Sequence, residues 1–210
     1  ADYVNKNNFK SVIIGLSGGL DSAAVAAIAV DALGPDRVWC VMMPSIYTSD
    51  DSLGDAQLCI SSLGCRYDVV PIKPAIEAYE AMLGTLFKGQ ENDTTEENLQ
   101  SRARAIVLMG LSNKFGPMVV TTGNKSEMAV GYATLYGDMC GGFNPIKDIY
   151  KSKLFEICEW RNNNNLDDLL GNKRPIPSNI LKKPPSAELR LDQKDSDSLP
   201  DYKVLDDILF

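Results

Sequence analysis

The chain contains no histidine. That one absence removes serine–histidine and cysteine–histidine catalysis, and most zinc sites with them. Cysteine is sparse and unpatterned: Cys40, Cys59, Cys65, Cys140 and Cys158 form no CxxC pair. An odd count scattered through apolar segments reads as reduced, mostly buried thiols of a cytosolic protein. No apolar run is long enough to span a membrane and no secretory-signal pattern is present, so a cytoplasmic protein is expected. Positive charge is also scarce. Lysine and arginine number 21 against 28 aspartates and glutamates, a net charge of −7. The balance argues against a broad nucleic-acid or anionic-membrane surface. The acidic stretch from Asp192 onward supplies much of it, however, which leaves room for a local basic pocket.

Two common phosphate loops are missing as well. GxxxxGK(S/T) needs a lysine, and GxGxxG needs a glycine spacing, that this chain does not supply. What it has is Val12-Ile13-Ile14-Gly15-Leu16-Ser17-Gly18-Gly19-Leu20-Asp21-Ser22. A β-branched run ends in a glycine pair and an alanine-rich helical pattern follows at once, which is a strand, a tight turn and a helix start. Gly18 and Gly19 permit positive φ and let a ligand approach the backbone. Successive N–H groups with a helix dipole behind them make a concave anion site, to which Ser17 and Ser22 add hydroxyls. Asp21 is an acid inside that anion site. It makes sense there if it holds a divalent cation that in turn holds phosphate oxygens.

With 210 residues, 44% hydrophobic and 23% charged, the chain can bury one α/β core. Ser22 to Leu33 reads as a helix stopped by Gly34-Pro35, apolar almost all round and so packed on a sheet. Val38 to Met43 is the near-continuous apolar run of a parallel strand covered on both faces. A polar loop follows from Ser45 to Asp51, then a helix from about Ser49 to Leu63. A third strand is expected over Arg66–Ile72 and a helix from Pro74 to about Phe87. The β-α-β-α-β-α order predicts a doubly wound, mostly parallel sheet with helices on both faces, binding ligands beyond the carboxyl ends of its strands.

Residues 88–95 lack any apolar side chain and are expected to be a mobile loop. Thr95 begins a long helix in which Asn98 and Arg102, four apart, share a face. Met118 to Thr122 is a fourth strand, and Thr121 to Glu127 repeats the polar, glycine-containing logic of the first loop. Tyr132–Asn144 is glycine-rich and aromatic, a candidate substrate loop, and Tyr150–Trp160 an amphipathic helix. Asn162–Asn165 reads as a polar loop and Pro175–Pro185 as extended. The acidic tail from Ser186 to Phe210 has too few core residues to fold alone and must dock, as a tail or a lid. The run 192–197 reads as solvated.

The SGGxDS loop resembles the pyrophosphate-binding loop of N-type ATP pyrophosphatases. Four stretches together resemble the NAD synthetase family: Gly15–Ser22, Glu97–Arg104, Thr122–Glu127 and Pro185–Leu189. Two of the wider stretches, GNKSEMAVGYATLYGDMCGGF and PPSAELRLDQKDSDSLP, resemble its glutamine-dependent branch. The likeness covers essentially the whole chain as one synthetase domain, residues 1–210. It implies an adenine nucleotide alpha-hydrolase-like, Rossmann-like fold. It also implies ATP-dependent amidation of deamido-NAD to NAD through an acyl-adenylate, with ammonia as the nitrogen donor, or glutamine where an amidase domain is present.

By resemblance, Gly15, Leu16, Ser17, Gly18, Gly19, Leu20, Asp21 and Ser22 bind ATP phosphates, and Asp21 with Glu127 ligates Mg²⁺. Thr122, Lys151 and Ser186 contact ATP, with Asp21 and Lys151 catalytic. Asn98, Arg102 and Glu127 lie against deamido-NAD or the shared metal region. A homodimer or higher homo-oligomer is implied, with no nucleic-acid or membrane partner. Residues 88–95 and 186–200 are the segments expected to close over the adenylate. Three departures stand out. Ammonia-dependent relatives carry a lysine where this chain has Leu135. Glutamine-dependent relatives carry an amidase domain ahead of this one, and they continue past Phe210 with a basic segment. The chain is therefore expected to be part of a two-domain enzyme. Competing readings are another ATP pyrophosphatase ligase or amidotransferase, and a non-catalytic nucleotide-binding domain. A tRNA-modifying enzyme would show a basic face and paired cysteines, and a sensor domain would not need both Asp21 and Glu127.

Overall fold

The strand β1 (Val12–Gly15) lies in the middle of the sheet, between β2 (Val38–Met42) and β4 (Met118–Val120), with β3 (Arg66–Val69) beyond β2. All pairings are parallel: Val12 opposes Val38 on one side and Met118 on the other, and Trp39 opposes Arg66. The computed structural model describes residues 1–164 and 174–210. The helices are α1 (Asp2–Lys6), α2 (Leu20–Leu33), α3 (Asp50–Leu63), α4 (Lys73–Leu83), α5 (Thr94–Phe115), α6 (Lys125–Val130), α7 (Lys151–Asn163) and α8 (Tyr202–Leu209).

Strand residues alternate faces, so the central strands feed two cores. Val12, Ile14, Cys40 and Met42 pack with α2, α3 and α7 on one face. Ile13, Trp39, Val41 and Val119 pack with α4 and α5 on the other. Each fully buried isoleucine contributes roughly 1.5–3 kcal/mol, which is why these runs are apolar throughout. β3 differs because it is an edge. Its residues are exposed or half-buried, and Arg66 and Asp68 pair on its surface. Four of the five cysteines are buried and all five are free; Cys40 and Cys65 touch at 3.9 Å.

The order β3-β2-β1-β4 reverses direction between β1 and β4, so the loops after these two strands diverge and leave a crevice. The loop Leu16–Gly19 and the loop Thr121–Asn124 face each other across it.

Several boundaries differ from expectation for identifiable reasons. β3 stops at Val69 because Pro71 has no N–H to continue the ladder, although Val70 and Ile72 still donate to the carbonyls of Met42 and Pro44. α4 ends at Leu83 and the chain continues to Phe87 in turns. α5 begins at Thr94 on an Asp93–Glu96 capping box. Asn162 is not in a loop. It lies in α7 and holds both backbone groups of Ile176 through its side-chain amide, while Asn165 lies outside the described residues. Pro175–Pro185 is not extended throughout, since Asn179, Ile180 and Lys182–Lys183 form turns.

The tail is docked, and its run 192–197 is not simply solvated. Asp195 is 5% exposed and accepts hydrogen bonds from the hydroxyls of Tyr132 and Tyr202. Such a buried carboxylate is tolerated because donors replace its water. Among the described residues no helix is long and apolar enough to cross a membrane.

Candidate functional site

A cleft of about 300 Å³ opens at the carboxyl ends of β1, β2 and β4. Seven of the eight residues Gly15–Ser22 line it; Gly18 does not. Gly18 adopts φ +80°, and a Cβ there would come within 2.2 Å of the Ser52 carbonyl oxygen. Only glycine satisfies both conditions. The hydroxyls of Ser17 and Ser22 are used to shape the loop. Ser22 Oγ accepts from Ser17 N at 3.1 Å and donates to the Gly19 carbonyl, while Ser17 Oγ accepts from Gly19 N.

Beneath the loop lies a charged cluster. Lys151 Nζ donates to Asp21 Oδ2 at 2.5 Å and to Glu127 Oε1 at 3.0 Å. Asn124, wholly buried, donates to Asp21 Oδ1 at 2.7 Å and caps α6 by accepting from Glu127 N. Lys151 is the first residue of α7, where the helix dipole disfavours a cation. Burial also works against its charge, but Asp21 and Glu127 outweigh both and hold its pKa above the ordinary value. Burial and the neighbouring Asp21 charge push Glu127 up to about 7, against the opposing pull of Lys151. The site therefore favours more positive charge than the lysine supplies. Among the described residues no three His, Cys, Asp or Glu side chains are grouped to hold a metal by themselves.

The upper wall is built by the tail. Glu188, at φ +49°, accepts from Ser49 N, Ser49 Oγ and Ser52 Oγ at the start of α3. Gln100 of α5 donates to the Leu189 carbonyl, and Ser186 Oγ donates to the Gln193 carbonyl at 2.6 Å. Thr122 and Ser186 both line the cleft. So does Lys183, which pairs with Asp55 at 2.8 Å and reaches Ser52 Oγ at 3.1 Å.

The structure separates the two arginines of α5. Arg104 lines the cleft, with Nε donating to the Met43 carbonyl at 3.0 Å. Burial lowers its pKa to about 10, and Glu188 partly offsets that. Arg102 and Asn98 do not line the cleft. They face the neighbouring loop, Arg102 Nε donating to the Leu135 carbonyl and Asn98 Oδ1 accepting from Thr134 Oγ1. A second pocket of about 210 Å³ opens on that loop and shares Thr121, Gly123, Glu127 and Asp138 with the cleft. Burial raises the pKa of Asp138, opposed by backbone donors at Thr134, Asp138 and Met139. No residue of 88–95 lines either pocket.

Arg104, Asn124, Asp138, Lys183 and Glu188 are site residues that the sequence reading did not assign. Arg104, Asn124, Asp138 and Glu188 stand inside its recognised stretches, and Asn124 carried a helix-cap signal. Lys183 carried none.

The NAD synthase family model matches residues 1–210. The chain belongs to the NAD synthase family. It is 57% identical over 208 residues to the glutamine-dependent NAD(+) synthetase of Xylella fastidiosa (strain Temecula1), covering 99% of this chain and 37% of that one. Its likeness to the Thermotoga maritima glutamine-dependent NAD(+) synthetase is 54% over 208 residues, covering 99% and 35%. Among solved structures, a glutamine-dependent NAD+ synthetase from Acinetobacter baumannii in complex with ADP superposes at TM-score 0.82. It is 46% identical and covers 99% of this chain and 36% of that one. An NMN synthetase from Francisella tularensis superposes at 0.85 with 29% identity, covering 99% and 80%. The chain thus spans little more than a third of the glutamine-dependent relatives. The NAD synthase assignment agrees with the α/β fold and with a cleft at the switch point of the sheet.

Proposed function

We propose that residues 1–210 form one ATP pyrophosphatase domain that amidates deamido-NAD to NAD at the expense of ATP. The observation that carries this is the Asp21–Lys151–Glu127 cluster lying directly under a glycine-rich strand-to-helix loop. The nicotinate carboxylate is inert to ammonia because oxide is a very poor leaving group. Attack of that carboxylate on the α-phosphorus of ATP forms the acyl–phosphate bond and expels pyrophosphate. Ammonia then attacks the activated carbonyl, and AMP leaves with the carboxylate oxygen. No histidine base is needed for the first step.

The chain's own groups meet the physical demands of these steps. The amides of the first turn of α2, at the end of the Gly15–Ser22 loop, and the dipole of that helix hold the triphosphate, and Lys151 faces the charge on the departing pyrophosphate. Asp21 and Glu127 would hold Mg²⁺, an ion that needs only one or two protein carboxylates when phosphate is present. When bound there, the ion neutralises charge on the leaving group. Thr122, Ser186 and Arg104 line the cleft for the nucleotide, while Glu127 lines the second pocket, the place for deamido-NAD, and Asn98 and Arg102 hold the Thr134–Leu135 loop beside it. Asp138 lies between the two pockets and, with its raised affinity for protons, suits taking a proton from the incoming nitrogen. The 186–197 strap excludes water from the adenylate. A cytoplasmic homodimer drawing ammonia from glutamine in the full-length protein is the setting this reading implies.

The test supplies the full-length protein with ATP, Mg²⁺ and deamido-NAD, with ammonia or glutamine, and follows AMP, pyrophosphate and NAD. Stoichiometric AMP and NAD support the reading; ADP in place of AMP, or no NAD, overturns it. Nicotinate mononucleotide in a parallel assay separates dinucleotide from mononucleotide specificity.

A further inference from the structure

One buried carboxylate of the acidic tail has no part in the chemistry above. Asp206 of α8 is 5% exposed and uses both oxygens. Oδ1 accepts the hydroxyl hydrogen of Ser126, and Oδ2 accepts the backbone N–H of Ser152 at 2.9 Å. Ser126 is wholly buried, and its Oγ in turn accepts the backbone N–H of Lys151 at 2.8 Å. One carboxylate thus ties together the first turns of α6 and α7, where unpaired amides and the helix dipoles favour negative charge.

The positions it holds adjoin the charged cluster. Ser126 precedes Glu127, and Lys151 precedes Ser152. Shifting α7 against α6 would therefore change the separation of the Lys151 ammonium from the Glu127 carboxylate. Tyr202 lies one helical turn before Asp206 on the same face of α8. Its ring is 5.2 Å from Lys151 Nζ, and its hydroxyl donates to Asp195 at 2.8 Å. Leu205 and the Tyr150–Leu209 hydrogen bond already anchor α8. A carboxylate buried solely for docking would be redundant there.

We propose that Asp206 is a positioning residue for the amidation: through Ser126 and the Ser152 amide it sets Lys151 against Asp21 and Glu127. This rests on reading that cluster as the reaction centre. Phosphate binding is dominated by the Gly15–Ser22 loop, which Asp206 does not touch. Loosening α7 should therefore weaken stabilisation of the transition state more than binding of the ground state.

The experiment compares Asp206→Asn and Ser126→Ala with wild type in the full-length protein, measuring kcat, KM for ATP and for deamido-NAD, and the melting temperature. Expected is a fall in kcat of about 10- to 100-fold in each variant, with both KM values within about twofold and the folded fraction unchanged at assay temperature. The double variant should fall no further than the worse single one, because both act through one chain of bonds. Unchanged kcat overturns the proposal, as does a loss matched by a loss of folded protein or confined to KM. Wild-type protein that makes no NAD would instead overturn the reading on which the proposal rests.

Discussion

Lys151 and Asp21 are 130 positions apart in the chain, and the ammonium of one donates to the carboxylate of the other at 2.5 Å. The contact joins the first turn of α2 to the first turn of α7, and Glu127 at the start of α6 completes it. Three helix N-termini thus converge on one charge cluster under the loop after β1. Replacing Lys151 with methionine would leave two half-buried carboxylates facing each other. Loss of one partner from a buried charge network costs roughly 3–5 kcal/mol, and the partial exposure of these two carboxylates brings the cost to the low end. Denaturant unfolding of Lys151→Met should show a loss of that order, together with loss of NAD formation.

Glu127 supplies a pH test. Its pKa in the folded chain is about 7 against an ordinary 4.5. Between those values the folded state holds the proton more tightly than the unfolded state. Its stabilising contribution is complete below about pH 4.5 and is lost as pH rises through about 7. The stability difference between wild type and Glu127→Gln, measured across that window without metal or nucleotide, should therefore move against wild type as pH rises. A flat difference would contradict the environment assigned to this carboxyl.

Gly18 and Gly89 share positive φ, +80° and +85°, but only Gly18 is crowded, by the Ser52 carbonyl. Alanine at 89 should cost only the backbone strain, roughly 1–2 kcal/mol, and leave turnover intact. Alanine at 18 must also displace the loop from α3. ATP binding measured by calorimetry should be lost in Gly18→Ala and retained in Gly89→Ala.

Arg104→Met should raise the KM for ATP at least about tenfold, because the buried guanidinium is among the charged walls of the cleft. The same change at Arg102 should act on deamido-NAD instead, since that side chain faces the loop at Leu135. Steady-state kinetics on the two variants separates the assignments.

The parallel sheet was legible because Val12–Ile14, Val38–Met42 and Met118–Val120 are apolar on both faces, a pattern that buried parallel strands require. The anion-binding character of Ser17–Ser22 was legible because its glycines and its place before a helix are local facts. The side of α5 that faces the cleft was not. Residues 102 and 104 lie about 200° apart around a helix, and only packing decides which of them turns inward. Nor could composition show that Asp195 and Asp206 are buried, because aspartate in an acidic tail is ordinarily solvated. Their burial depends on hydroxyl and amide donors supplied by residues far away in the chain, Tyr132 and Ser126 among them.

The central claim is that the acceptor carboxylate, rather than water or ammonia, attacks the α-phosphorus. Deamido-NAD labelled with oxygen-18 in the nicotinate carboxylate tests it directly by mass spectrometry of the products. The account predicts one labelled oxygen in the phosphate of each AMP and none in pyrophosphate. Unlabelled AMP, or label in pyrophosphate, would contradict it.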